Sequence, residues 1–157
     1  MITRKQVVEK AREYLETPFQ HQGRLKGRAC DCVGIPLQVA DELGIVDRNG
    51  VPMKSSDNAN YSSQPLNRFI HEECQRRLIE KPVSEMQDGD VLTLRVPSRM
   101  ENIKVTAPCH VAIVTTVMGV RGMLHAYAGN RKVVEHVMDA KWQRRIEGCF
   151  SFPNIED

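Results

Sequence analysis

A chain of 157 residues, 41% hydrophobic and 27% charged, is long enough for one packed domain over residues 1–157 and too mixed in composition for a disordered or fibrous protein. Its net charge of +2 is spread over both signs without a basic block, which argues against a nucleic-acid interface, and no window approaches the roughly 20 apolar residues of a membrane span. Five cysteines, at 30, 32, 74, 109 and 149, cannot all pair within one chain and lack the spacing of a secreted disulfide scaffold, so they read as mostly reduced thiols.

In chain order, residues 1–10 alternate charge with isolated apolar positions and hold no apolar run of signal-peptide length. The expectation is synthesis in the cytoplasm, with any target outside reached by another route. Thr3 followed by Gln6 matches a capping box, and Val7, Val8, Ala11, Tyr14 and Leu15 share one helical face, which predicts a helix over 3–15. Residues 16–30, punctuated by Pro18, Gly23 and Gly27, read as a loop. A second helix is expected from Cys32 to Leu43, with Asp31 as N-cap and Gly44 just past its end. Pro36 removes one backbone donor in its first turns.

Residues 47–64 read as a long surface loop, followed by a helix over 65–78 that buries Leu66, Phe69, Ile70, Cys74 and Leu78. Asp88, Gly89 and Asp90 form a turn, after which the pattern is β over 91–96, 109–117, 122–128, 132–138 and 146–152, with 97–108 a second polar loop. Helices first and an antiparallel sheet afterwards give an α+β fold, N-terminal helices packed on a C-terminal sheet.

The chemistry concentrates in two places. A cysteine is a nucleophile only as thiolate, and a free thiol of pKa about 8.5 is mostly protonated at neutral pH. A helix start supplies free amides and partial positive charge, so Cys32 in the first turn is expected to be activated. A nearby histidine can take the thiol proton and pass it to a leaving amine. His110 and His125 lie on successive strands and are expected to be neighbours. Spacing alone leaves the alternatives standing: Cys32 as a small buried hydrophobe and each histidine as structural. A zinc site built from Cys30, Cys32, Cys109 and His110 has the right ligand types. It is disfavoured because adjacent residues 109 and 110 on a strand point to opposite faces, which places Cys109 in the core.

The run Ala11, Arg12, Glu13, Tyr14, Leu15, Glu16, Thr17, Pro18, Phe19, then His21, Gln22, Gly23, then Asp31, Cys32, Val33, Gly34, resembles the NlpC-type cell-wall cysteine endopeptidases. It looks closest to the branch in phage tail gene clusters. Asp88 to Val91 resembles that family's turn into its first strand, Cys109 to Val114 its histidine strand, and Leu124, His125, Ala126 the strand bearing its third polar residue.

The resemblance implies a papain-like α+β fold that hydrolyses amide bonds in peptidoglycan stem peptides. Cys32 would be nucleophile, His110 general base and His125 the residue that fixes the tautomer of His110. The Cys32 amide would serve an oxyanion hole, and Asp31 would cap the helix and shape the substrate pocket. Phe19 stands where the family commonly has tyrosine, and Val33 where it often has serine, so these two positions mark a change in substrate recognition. Phe19, His21, Asp31 and Val33 are the expected substrate-binding positions.

No metal or other cofactor is expected. The implied partners are stem peptides and phage tail proteins, and the implied place of action is the cell wall, reached with a virion or at lysis. The competing reading is a catalytically silent subunit of a tail tip with the same fold. Outside the site, His71 and His136 are expected at the surface, the latter paired with Glu135, and Trp142 as a core or edge anchor.

Overall fold

The computed structural model describes residues 1–57, 68–96 and 108–157. Two short strands, β1 (Ile2–Thr3) and β10 (Ile155–Glu156), pair in parallel and bring the chain ends together. Helix α1 (Arg4–Arg12) starts on the expected capping box: Thr3 Oγ1 accepts from the Gln6 amide at 3.2 Å, while Gln6 Oε1 accepts from the Thr3 amide at 2.8 Å. It ends three residues before the expected position. The chain turns through Glu16, at φ 69°, so that 16–19 can pair with a distant strand.

The segment read as a loop over 16–30 contains a small hairpin, β2 (Arg24–Leu25) and β3 (Ala29–Cys30). Helix α2 (Gly34–Leu43) ends at Gly44, whose φ of 68° is the left-handed cap expected of that glycine. A 3-10 turn over Met53–Ser56 follows. Helix α3 (Phe69–Arg77) covers the end of the expected 65–78 helix, while Leu66, residues 58–64 of the first polar loop and 97–107 of the second lie outside the described residues.

The sheet has six antiparallel strands in the order β4-β9-β5-β6-β7-β8. They are β4 (Ile79–Lys81), β5 (Val91–Leu94), β6 (His110–Val117), β7 (Val120–Tyr127), β8 (Lys132–Val137) and β9 (Ile146–Ser151). All five expected strands are present, and β4 at the edge was not legible because its three residues carry no alternation. Met118 and Gly119, both at positive φ, form the β6–β7 turn, so Gly122 lies inside β7 rather than at its start.

Alternation along these strands divides the apolar residues between two faces. Val91, Val111, Ile113, Leu124, Ala126, Val133 and Phe150 pack toward α1 and α2 together with Val7, Ala11, Ile35 and Val39. Leu92, Leu94, Ala112, Val114, Met123 and Cys149 form the other face, closed by Met138 and by Trp142 of α4 (Ala140–Gln143). Asp90, fully buried, ties the layers together: it accepts from Arg4 of α1 at 2.7 Å and pairs with Lys81 of β4 at 3.0 Å.

His71 corrects the surface assignment. It is buried, with Nδ1 2.8 Å from Thr93 Oγ1 and its ring edge-on to Phe150, because α3 turns this face onto the sheet. Cys109 is half-buried rather than core, its thiol directed to the Val96 carbonyl at 3.8 Å.

Candidate active site

The helix start at Cys32 is built around one buried carboxylate. Asp31 accepts from the amides of Gly34 and Gln22, both at 2.8 Å, and from the Arg24 guanidinium at 2.8 Å, with His21 Nδ1 at 3.8 Å. Asp31 therefore does the work of an N-cap, although the helix itself begins three residues later. The same carboxylate pins the 21–24 loop against the helix, and Arg24 extends the tie to Asp57 at 2.8 Å. Cys30 is fully buried with its thiol on the Asp31 carbonyl. A Cβ on Gly34 would stand 2.6 Å from Cys30 Sγ and 2.7 Å from the Gly23 carbonyl oxygen, so only glycine lets the helix start sit this close to the loop.

Cys32 meets the sheet at a gap. The β6–β7 ladder runs from Val117–Val120 to Ile113–Leu124 and stops there, while β7 stays paired with β8 out to Tyr127–Lys132. Val114 donates to Asp90 on the β5 side, so amides of odd-numbered residues of β6 face β7. The Val111 backbone, beyond the end of that ladder, lies beside Cys32 instead and favours its thiolate. The nucleophile candidate is thus held at the residue next to His110. Among the described residues no hydrogen bond joins Cys32 to His110 itself. Such bonds are often long in the absence of substrate.

His110 and His125 are brought together as expected: His110 Nε2 lies 2.6 Å from His125 Nδ1, with the rings edge to face. The chain continues where surface placement was expected. His125 Nε2 lies 2.8 Å from His136 Nε2, and His136 Nδ1 donates to the Val137 carbonyl at 2.9 Å. Glu135 pairs with Arg12 at 2.7 Å rather than with His136. Trp142 lies against all three rings, 5.0 Å from His125, and Tyr127 stacks on His125 at 5.3 Å. Gly129 leaves room for the Tyr127 ring, which a Cβ there would meet at 2.6 Å. Alternation on β8 puts His136 on the same face as His125, and that was the available signal for it in the sequence.

The resting site is neutral. Burial pushes His110 down to about 3, helped by Arg145, and pushes His125 down to about 2, helped by its two histidine neighbours. Burial and the Asp31 charge push the Cys32 thiol up, against the hydrogen bonds from Val111 and Val33 that favour the thiolate. Burial therefore works against the expected activation by the helix start and favours a neutral thiol beside a neutral imidazole.

The four positions expected to bind substrate fall in different settings. Val33 lines an apolar cavity of about 80 Å³ with Pro36, Met53, Ile70 and Val111. His21 stays with Asp31, partly exposed. Phe19 packs against the core, and its amide donates to Arg131 at 2.8 Å.

No family model and no curated protein matches the sequence. Solved structures do match its fold. An NlpC/P60 family protein from Bacillus cereus aligns with a TM-score of 0.61 at 17% identity, over 96% of this chain and 40% of that one. The NlpC/p60 domain of peptidoglycan hydrolase SagA aligns at 0.56 and 18% identity, over 96% of this chain and all of that domain. An N-acetylmuramoyl-L-alanine amidase from Bacteroides uniformis aligns at 0.53 and 12% identity, over 94% and 96%. The chain spans less than half the length of the Bacillus cereus protein.

Proposed function

We infer that the papain-like α+β fold this chain shares with its NlpC/P60 neighbours carries their kind of chemistry. We propose that the protein is a cysteine hydrolase of peptidoglycan that cleaves amide bonds in stem peptides. The observation that carries this reading is a cysteine at a carboxylate-capped helix start, set beside the strand whose first residue is a histidine bonded to a second histidine. Neighbours described as a peptidoglycan hydrolase and an N-acetylmuramoyl-L-alanine amidase support the substrate class.

In this mechanism His110 takes the Cys32 proton as Sγ attacks the scissile carbonyl carbon. The backbone amide of Cys32 stabilises the tetrahedral oxyanion, a contribution of about 3 to 4 kcal/mol in other hydrolases. Collapse expels the amine, which leaves with the proton from His110. Water, deprotonated by His110, then attacks the thioester carbon and releases the acid and the Cys32 thiol. A neutral resting pair fits general-base attack, in which the proton moves only as the S–C bond forms.

Val33 and its apolar cavity replace the polar contact that a serine would offer, and Phe19 brings a ring without a hydroxyl, so the reading includes a specificity that favours apolar contacts beside the nucleophile. Delivery with a phage or prophage tail rests on the resemblance of the 11–34 run. Among the described residues no helix is long and apolar enough to cross a membrane.

The test is digestion of purified peptidoglycan by the protein and by Cys32→Ala, with fragments read by mass spectrometry. New stem-peptide termini are expected from the first alone. Identical profiles would refute the hydrolase reading and favour a silent tail subunit.

A further inference from the structure

We propose that His136 is a positioning residue, the third ring of an imidazole chain whose proton order is set by the Val137 carbonyl and which presents His110 with its Nδ1 bare. The proposal deepens the thiol-hydrolase reading and rests on it for its catalytic meaning.

The argument runs inward from the sheet edge. Met138 donates to Arg121 on β7, so the Val137 carbonyl faces the open side of β8. A carbonyl only accepts, so the His136 nitrogen 2.9 Å from it, Nδ1, carries the proton. In the neutral ring Nε2 is then an acceptor, and its neighbour at 2.8 Å, His125 Nε2, must be the donor. His125 Nδ1 is left as an acceptor, and His110 Nε2, 2.6 Å away, must donate to it. His110 Nδ1 is then the unprotonated nitrogen, the one able to take a thiol proton.

His125 needs this partner. Its side chain is fully buried, out of reach of bulk water, so both ring nitrogens require protein partners, and among the described residues His110 and His136 supply them. Trp142 and Tyr127 fix the planes of the rings, which keeps the chain in register. The arrangement is a chain and not a metal site. Nitrogens bound to one tetrahedral zinc lie about 3.3 Å apart around a common point. Here the central ring uses its two nitrogens in opposite directions, at 2.6 and 2.8 Å from their partners.

The test uses the whole protein labelled with 15N-histidine and long-range 1H–15N spectra at neutral pH. Wild type is expected to show the proton on Nδ1 of His136 and on Nε2 of both His125 and His110. In His136→Phe, which keeps a ring against Trp142, His125 and His110 are expected to become tautomer mixtures; in His136→Gln, whose amide oxygen can accept, single tautomers return. If the peptidoglycan assay finds wild-type activity, kcat should fall about 10-fold or more in His136→Phe with KM unchanged, and recover in His136→Gln. A wild-type spectrum with His110 protonated on Nδ1, or spectra that His136→Phe leaves unchanged, would overturn the proposal. Inactivity of the wild type with the expected spectra would instead refute the hydrolase reading and leave the chain in place.

Discussion

Acid should destabilise this protein well above the pH at which carboxylates titrate. His110 and His125 are held neutral in the folded state, down to about 3 and about 2, while in the unfolded chain each protonates near 6.5. Because the folded values are depressed, the unfolded chain binds more protons between them, and stability rises with pH across that window. The full stability is present above the unfolded value and is lost as pH falls toward the folded ones. Between pH 7.5 and pH 5 each histidine contributes a loss of about 2 kcal/mol, so the pair loses about 4 kcal/mol of a typical 5–15. His71, also depressed by burial, acts in the same direction. Urea unfolding at a series of pH values reads this directly, and at an m-value of about 2 kcal/mol/M the midpoint should drop by about 2 M. Stopping at pH 5 keeps the carboxylates out of the measurement. His125→Met should lose about half of the dependence. A midpoint that is flat or rises toward pH 5 would refute the neutral, buried histidine pair.

Other outcomes follow from the helix start. With Cys32, Cys30, Cys74, Cys109 and Cys149 all raised by burial, iodoacetamide should label the native protein at pH 7 more slowly than free cysteine; rapid, selective labelling of Cys32 at pH 6, followed by peptide mass spectrometry, would show a resting thiolate instead. Asp31→Ala removes the acceptor for two amides and a half-buried guanidinium and should cost about 3 kcal/mol by urea unfolding. Gly34→Ala forces a Cβ onto Cys30 and Gly23 and should cost about 1–3 kcal/mol while displacing Cys32, seen as a lower thermal midpoint together with reduced hydrolysis.

Much of the frame was legible because it obeys local rules. Thr3 with Gln6, Gly44 and the alternation in β6, β7 and β8 each carry their own signal, and His110 and His125 met because consecutive strands pair. What escaped was set by contacts distant in sequence. His71 and His136 look like surface residues until α3 turns His71 onto the sheet and Trp142 of α4 packs against His136. The setting of the thiol escaped for a related reason: helix-start geometry is local, whereas the burial that opposes activation of Cys32 comes from tertiary packing.

The contacts of residues 16–19 with β8 bear on when the site comes into being. Glu16 and Phe19 donate to Val133 and Arg131, and Val133 donates back to Thr17, across more than a hundred residues of chain. The strand that braces the loop before Cys32 also carries His136. Contacts of such long range form late in folding. During synthesis, then, the N-terminal half bears Cys32 without His110 or His125, and the nucleophile and its proposed base meet only when the C-terminal half has emerged and docked.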